Sequence, residues 1–258
     1  IEDQIINEDE LFTYELEIEN VDGDMIFPSA ITDENFTAVF SNTTLQIAPS
    51  ANWSGSGEII VTIFDGEFLS EQSFTLTVLP VNDAPVITQL DNQTIDEDTS
   101  IILELSAADV DSNDLSFSAS AASGELIVNV EGTVLTISTP QDYNGSDDIT
   151  VIVTDGDLYD STTFILTVNP VNDAPILDFI ADADIDEDET FTYQFVASDV
   201  DGDELIFGAT DGPNANLIIS GNVLTVIPDQ DWYGDLTISV SVVDSDGYSD
   251  SQDFILTV

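Results

Sequence analysis

Lysine, arginine, histidine and cysteine are all absent from the 258 residues of this chain, whereas aspartate and glutamate together number 53. A chain without basic side chains has nothing to place against a phosphate, which excludes nucleic acid as a partner. Anionic membrane surfaces repel it for the same reason. No pair of side chains can form an ion pair, so the carboxylates repel one another without internal compensation.

The same absences limit the chemistry available to the chain. Catalytic triads need histidine or cysteine and cannot be built here. A glycosidase would need only two carboxylates, but no sequence feature singles out an unequal pair of acids, so we expect the protein not to be an enzyme. The only metal ligands are oxygen atoms, which suit hard cations such as Ca²⁺, and a bound cation would offset the repulsion. No stretch is apolar enough for membrane insertion. A signal peptide would need a basic start, so we expect a segment cut from a longer secreted precursor.

What the sequence does contain is a repeat about 90 residues long. The string Pro-Val-Asn-Asp-Ala-Pro occurs at Pro80–Pro85 and again at Pro170–Pro175. A Phe-x-Leu-Thr-Val segment marks the end of each copy, at Phe74–Val78, Phe164–Val168 and Phe254–Val258. The chain therefore divides into three predicted repeats: 1–79, 80–169 and 170–258.

Each repeat has the pattern of a β-sandwich. Hydrophobic residues make up 42% of the chain, which is enough for folded cores. They alternate with polar residues near the start of each repeat, beginning at Phe12, Ile101 and Phe191, as expected for strands with one buried face. We predict an all-β chain of three tandem seven-stranded antiparallel Greek-key sandwiches in a linear array. An aromatic corner residue is predicted to close each core: Trp53, Tyr143 and Trp232.

Five acidic or amide positions also recur in register. They are a Glu predicted in the first strand, the residue before the corner aromatic, an Asn-Asp pair in the linker, an Asx-Val-Asp triplet and an Asp after a long late strand. On a sandwich, the first two lie at one end of a repeat, and the triplet and late Asp lie at the facing end of the next. Like charges converge there, which predicts a Ca²⁺ site. The alternative is that they are ordinary turn formers and solubilising residues.

These motifs resemble the cadherin superfamily, in particular bacterial cadherin-like tandem repeats with Val-Asn-Asp-Ala-Pro linkers. The resemblance implies several Ca²⁺ ions between successive domains. For the first junction it implies Glu8, Asn52, Asn82, Asp83, Asp109, Asp111 and Asp155. For the second it implies Glu97, Asp142, Asn172, Asp173, Asp199, Asp201 and Asp244. For junctions beyond the two ends it implies Asn20, Asp22 and Asp65 on one side and Glu187 and Asp231 on the other. Pro80, Pro170, Ala84 and Ala174 stand where animal cadherins have ligands, which leaves the number of ions open.

The resulting functional hypothesis is a calcium-stiffened structural or adhesive segment of an extracellular surface adhesin or filament. Its partners would be neighbouring repeats of the same or identical chains and a cell-surface or matrix ligand. The alternative is a carbohydrate-binding or ligand-presenting module of a large secreted protein. That reading requires Trp53, Trp232 and Tyr233 to be exposed, whereas the repeated position of the two tryptophans favours the core.

Overall fold

The computed structural model describes residues 1–19, 21, 23–210 and 213–258, and within these ranges it contains strands but no helix. In the first repeat, the seven strands are β1 Gln4–Asn7, β2 Phe12–Glu15, β3 Phe27–Ile31, β4 Phe36–Ser41, β5 Thr44–Pro49, β6 Gly55–Phe64 and β7 Leu69–Leu79. They form two sheets, in the orders β1-β7-β6-β3 and β2-β5-β4. The predicted all-β sandwich is confirmed.

The second and third repeats have the same topology, with two of their seven strands interrupted. The second contains β8 Val86–Ile87, β9 Gln93–Asp96, β10 Ser100–Glu104, β11 Ala107–Ala108, β12 Ser116–Ala121, β13 Ile127–Glu131, β14 Val134–Ser138, β15 Gly145–Thr154 and β16 Tyr159–Asn169. The third contains β17 Ile176–Leu177, β18 Ala183–Asp184, β19 Phe191–Gln194, β20 Ala197–Ser198, β21 Ile206–Thr210, β22 Ala215–Ser220, β23 Val223–Pro228, β24 Asp235–Val243 and β25 Ser249–Thr257. The short strands β8 and β17 pair with β11 and β20.

The expectation of purely antiparallel pairing is wrong at one place in each repeat. The strand β1 runs parallel to β7, and β9 and β18 run parallel to β16 and β25. The first and last strands of a repeat both point towards the following linker. This direction places Asn7 opposite Leu79, so Glu8 lies beside the start of the linker.

Each repeat has its own hydrophobic core, built from alternating residues of both sheets. Phe12, Ile101 and Phe191 occupy equivalent places, and each lies opposite an aliphatic residue of a central strand. Strand β15 shows the alternation most clearly, since Ile149, Val151 and Val153 are fully buried. The three cores are separate, so the linkers join folded units.

The aromatic corner residues pack against these cores as predicted. Trp53, Tyr143 and Trp232 are half-buried against the cores of the first, second and third repeats. Trp53 meets Phe36 edge to face, with 5.1 Å between ring centroids. The ring of Trp53 also lies over Gly55, where a Cβ would stand 2.6 Å from a ring carbon. The corner therefore needs glycine at that position.

Candidate metal centre

The upstream half of each junction begins with a buried glutamate. Glu8 and Glu97 are 6% and 4% exposed, and each lies in the turn after the first strand, not within the strand as predicted. The Oε1 of Glu8 accepts a hydrogen bond from the backbone N–H of Val81 at 2.5 Å. Glu97 does the same for Val171 at 2.6 Å. A linker amide thus fixes each glutamate at the junction.

The next residue of each turn connects the glutamate to the aromatic corner. Asp9 and Asp98 have positive φ values of 59° and 58° and accept hydrogen bonds from the backbone N–H groups of Asn52 and Asp142, at 3.1 and 3.0 Å. Sequence reasoning chose the glutamate of each Glu-Asp pair and missed the aspartate. The aspartate could have been found from the sequence, because the whole Glu-Asp pair recurs in each repeat.

The downstream half of the first junction is held by the linker itself. The backbone N–H of Asp83 donates to Asp111 at 2.8 Å, and the N–H of Asp111 donates to Asp109 at 2.8 Å. The side-chain amide of Asn82 donates to Asp155 at 2.7 Å. The linker, the triplet and the late aspartate predicted for this junction therefore lie together.

The second junction repeats these contacts with its own residues. The backbone N–H of Asp173 donates to Asp201 at 2.8 Å, and that of Asp201 donates to Asp199 at 3.0 Å. The amide of Asn172 donates to Asp244 at 2.9 Å. The two junctions are thus built from equivalent positions of the repeat.

Asp83 lies among carboxylates from both sides of the first junction. Burial raises the pKa of its carboxyl group, and the charges of Asp111, Asp9, Glu8 and Asp109 raise it further. Glu8 and Asp9 belong to the first repeat, and Asp109 and Asp111 belong to the second. The ionised form of Asp83 is therefore disfavoured without a cation.

Asp173 has the same position in the second junction. Burial raises the pKa of this carboxyl group, and Asp142, Asp98, Asp201 and Glu97 add to the effect. Again the neighbouring charges come from the repeats on both sides of the linker. Acids with raised pKa values mark the centre of each junction.

The late aspartates, Asp155 and Asp244, have lowered pKa values instead, because hydrogen-bond donors surround them. Backbone N–H groups of Leu158 and Asp157 and the amide of Asn82 lower the pKa of Asp155. At Asp244, burial raises the pKa, but the amide of Asn172 and three backbone N–H groups lower it by more. These two groups are held as anions.

Among the residues that the structure describes, three buried carboxylate oxygens lack a hydrogen-bond donor. They are one Oδ2 atom each of Asp83, Asp109 and Asp199. A buried anionic oxygen without a partner is costly, so native structures normally satisfy it. All three atoms belong to the predicted ligands, and a cation would satisfy them.

In the described part of the chain, two groups of carboxylates are close enough to hold a metal ion. Asp98, Asp142 and Asp173 form one group in the second junction, and each offers an oxygen within 4.8 Å of the others. Calcium binds oxygens at about 2.3–2.6 Å, so two ligands on opposite sides of one ion are roughly 5 Å apart. The residues present therefore fit a cation of this size.

The other group, Asp199, Asp203 and Asp244, lies within the third repeat beside the same linker. Asp203 was missed by the sequence reasoning because it stands two residues beyond the Asx-Val-Asp triplet. Asn113 is its counterpart in the second repeat. The second junction thus has a carboxylate at two places, Asp142 and Asp203, where the first has Asn52 and Asn113.

The remaining predicted residues lie at the outer ends of the array. Asp65 accepts hydrogen bonds from the N–H groups of Phe68 and Glu67, which lower the pKa of its carboxyl group. Glu187 and Asp231 are exposed at the far end of the third repeat. Asn20 and Asp22 lie outside the described residues.

Comparison with known proteins gives the family. Residues 82–169 and 172–257 each match the family model described as Bacterial Ig domain. These two matches cover more than half of the chain, so the chain belongs to the bacterial Ig domain family. No helix in the part of the chain that the structure describes is long and apolar enough to span a membrane.

Individual proteins resemble the chain more distantly. Chitinase A of Pseudoalteromonas piscicida is 27% identical over 210 residues, which are 79% of this chain and 24% of that protein. The structure of mouse cadherin-23 EC22-24 matches with a TM-score of 0.55 at 16% identity, covering 100% of this chain and 95% of that one. An endo-fucoidan hydrolase of glycoside hydrolase family 107 matches with a TM-score of 0.32 at 17% identity, covering 98% and 42%. The chain thus spans less than half the length of both hydrolases, and the cadherin match shows a shared fold.

Proposed function

We propose that this chain is a calcium-stiffened structural or adhesive segment of an extracellular surface protein, of the bacterial cadherin-like type with Val-Asn-Asp-Ala-Pro linkers. The observation that carries the proposal is the position of Asp83 and Asp173. Each lies in a short linker and is surrounded by carboxylates from the repeats on both sides. A cation bound there would take ligands from two repeats at once.

Calcium is the cation that this set of ligands favours. It accepts six to eight oxygens in adaptable geometry, including carboxylates and carbonyl groups. Magnesium demands a near-ideal octahedron and usually keeps several waters. Each junction offers many carboxylates as well as the side-chain oxygen of Asn82 or Asn172, which suits the larger ion.

Stiffening follows from where the ligands come from. Glu8 and Asp9 belong to the upstream repeat, whereas Asp109, Asp111 and Asp155 belong to the downstream repeat. Without a cation their charges repel across the linker, and with one they are tied to the same ion. Pro80 and Pro170 restrict the linkers further.

We also propose that the segment is not catalytic and works at the cell surface or outside the cell. Several acids of the junctions accept hydrogen bonds from backbone amides or from asparagine side chains, as expected for structural ligands. Membership in the bacterial Ig family and the cadherin-like fold support an architectural role. Its immediate partners would be the neighbouring repeats, and a surface or matrix ligand would lie at the end of such an array.

A second candidate is a carbohydrate-binding or ligand-presenting module of a secreted enzyme. It is favoured by the likeness to a protein named chitinase A, of which this chain would correspond to a part. Tyr233 is 77% exposed and could stack on a sugar, although its neighbour Trp232 packs against the core. Sedimentation of the chain with insoluble chitin, compared with a Tyr233→Ala variant, tests this role directly.

Small-angle scattering of the whole chain tests the leading proposal. The maximum dimension should be larger and its distribution narrower with Ca²⁺ than with a chelator, while circular dichroism shows the sandwiches intact in both. Magnesium or sodium chloride at equal ionic strength should reproduce little of the change, since screening does not fill coordination sites. A scattering profile that is equally extended with the chelator would refute calcium stiffening.

An Asp83→Asn/Asp173→Asn variant supplies the matched test of the sites. It should remain flexible at calcium concentrations that stiffen the parent chain. The control is Glu58→Gln/Asp148→Asn, which removes the same number of charges from exposed strand residues that are not proposed ligands. If the control and the junction variant responded alike, the effect would be one of net charge.

A further inference from the structure

The edge strand β12 of the second repeat is open on one side. In the sheet β12-β15-β16-β9 it pairs with β15, from Ser116 opposite Thr154 to Ala121 opposite Ile149. No strand in the described part of the chain pairs with its other side. Alternate backbone N–H and C=O groups of Ser116–Ala121 therefore point out of the sheet without a partner strand. The repeats that flank this one in the sequence are both present, so the edge belongs to a complete repeat.

The strand β12 also lacks the features that normally keep edge strands from pairing. Natural edges carry charges, prolines or bulges for this purpose. The equivalent edge strand of the first repeat, β3, contains Pro28, which has no N–H to donate. That of the third repeat, β21, has Gly208 at its centre, and glycine weakens a strand. The sequence of β12 is Ser-Phe-Ser-Ala-Ser-Ala, without proline, glycine or charge, so this strand can pair over its whole length.

The outer face of the sheet beside this edge is free of charge as well. Three rows of side chains cross β12, β15 and β16 there. They are Ser116, Thr154 and Tyr159; Ser118, Ile152 and Ser161; and Ser120, Thr150 and Thr163. Eight of these nine side chains carry a hydroxyl group and none carries a carboxylate. The equivalent rows of the first and third repeats contain Glu71 and Asp253. Two copies of a chain with a formal charge of −53 can therefore meet at this edge without bringing carboxylates of these rows together.

A second copy of β12 is complementary to this edge in an antiparallel register. A two-fold axis perpendicular to the sheet keeps the outer faces of both copies on the same side, so outward-facing residues stand opposite outward-facing residues. With Ser118 opposite its own copy, Ser116 stands opposite Ser120, and serine hydroxyls that face each other across two strands can form hydrogen bonds. The flanking Asp114 would stand opposite Ala122. No two carboxylates face each other in this register.

We infer that two copies of the chain associate through β12, which pairs antiparallel with its counterpart and joins two four-stranded sheets into one of eight strands. The addition of a strand at an open edge is held by main-chain hydrogen bonds. The contact is small beside stable interfaces, which bury about 1,200–2,000 Å², so a single pair of chains should associate weakly. Many such contacts between long arrays would act together. The inference goes beyond calcium stiffening, because it joins arrays side by side and needs no metal ion.

Analytical ultracentrifugation of the whole chain in chelator tests the inference without involving the calcium sites. The chain should be a monomer at about 10 μM and form dimers at roughly 1 mM, as expected for a weak interface. Raising sodium chloride from about 0.1 M to about 1 M should increase the dimer fraction, because the screening length falls from about 10 Å to about 3 Å and the two polyanions repel each other less. An interface held by ion pairs would weaken under the same change.

Cross-linking reports the register directly, because the chain has no cysteine of its own. Residues that stand opposite each other in an antiparallel pair have Cα atoms about 4.5–5.5 Å apart, which is within the range of a disulfide. Mild oxidation at high salt should therefore convert Ser118→Cys into a covalent dimer. The control, Ser161→Cys, places an exposed thiol on the same face two strands away from the edge and should remain mostly monomeric.

A charge introduced at the same position should prevent the pairing. In Ser118→Asp two like charges would face each other across the two-fold axis, so dimerisation should weaken by at least about tenfold. The control, Ser161→Asp, adds the same charge to the same face away from the edge and should dimerise almost as the parent chain does. Both substitutions are at exposed positions, and circular dichroism should show that both variants are folded.

The inference is overturned by any of three results. The chain could stay monomeric at the highest concentration and salt, which would leave the edge to a strand of a different protein or to none. Ser118→Cys and Ser161→Cys could cross-link equally, which would show random collision of exposed thiols. The two aspartate variants could weaken dimerisation equally, which would place the contact elsewhere on the chain.

Discussion

The side-chain amide of Asn172 donates a hydrogen bond to the carboxylate of Asp244 over 2.9 Å and 72 residues of sequence. Asn82 and Asp155 make the equivalent contact at 2.7 Å. In both cases a linker residue is fixed to the loop between the last two strands of the following repeat. An amide is suited to this place because its nitrogen holds the carboxylate while its oxygen stays free to bind a cation.

The two junctions should differ in calcium affinity. The first has Asn52 and Asn113 where the second has Asp142 and Asp203, and calcium affinity rises with the charge of the ligands. We predict that the first junction binds more weakly and becomes flexible first as calcium falls. Calorimetry of the whole chain should resolve two classes of site, and amide shifts should assign the weaker class to the linker after Pro80.

Exchanging the corner residues should shift these affinities in opposite directions. Asn52→Asp should tighten the first junction and Asp142→Asn should weaken the second, because one carboxylate charge is added or removed. The control is Asn42→Asp, which adds the same charge at an exposed turn residue with the same positive φ of 54°. If Asn52→Asp changed affinity no more than this control, residue 52 would not be a ligand.

The linker aspartate should have opposite effects with and without calcium. Because burial and four neighbouring acids raise the pKa of Asp83, its ionised form destabilises the empty junction at neutral pH. Asp83→Asn should therefore keep or raise the melting temperature in chelator. It should lower calcium affinity by more than the 10- to 100-fold that is typical of losing an outer-shell partner. Thermal unfolding in both conditions measures this, and a variant less stable in chelator would contradict it.

A glycine of the aromatic corner should be sensitive to substitution in one repeat and tolerant in another. In Gly55→Ala the new Cβ would stand 2.6 Å from the Trp53 ring, so we expect a loss of about 1–3 kcal/mol in unfolding free energy. In Gly145→Ala the nearest atom is the Tyr143 hydroxyl at 3.9 Å, so the loss should be smaller. Urea denaturation of both variants measures the difference, and equal losses would mean that backbone strain dominates.

Acid should weaken the attachment of β8 through Asp160. The N–H groups of Ile87 and Ser161 hold the pKa of this carboxyl group below its ordinary value of 3.8. The ionised form therefore stabilises the folded state above that value, and the contribution is lost as the pH falls through the lower folded-state pKa. Asp160→Asn in chelator should lower the melting temperature at pH 6 more than at pH 3. An Asp148→Asn control should not lower the melting temperature more at pH 6 than at pH 3. An equal effect of Asp160→Asn at both pH values would show that the ionised Asp160 does not stabilise the attachment of β8.

Much of this architecture could be predicted because it depends on patterns among residues that are close in the sequence. The alternation beginning at Phe12, Ile101 and Phe191 fixes which face of each strand is buried. The repeated strings around Pro80 and Pro170 fix the number of units and the place of the linkers. The absence of histidine and cysteine limits any metal ligands to oxygen.

Other features could not be predicted because they depend on which strands become neighbours. The parallel pairing of β1 with β7 puts Glu8 beside Val81, and no local pattern specifies that direction. Asp9 and Asp98 reach the corner only because positive φ values turn them towards it. Asp203 became a candidate ligand only when folding placed it beside Asp199 and Asp244.

The sequence by itself determined that this is a repeated β protein with a large uncompensated negative charge, since periodicity and composition act residue by residue. Tertiary structure alone decided which carboxylates share a junction and which glutamates are buried beside a linker. Both depend on contacts between residues about 70 positions apart, such as Asn172 with Asp244 and Glu8 with Val81. Such contacts form only when the last strands of a repeat pack beside its beginning, and that packing depends on the whole core.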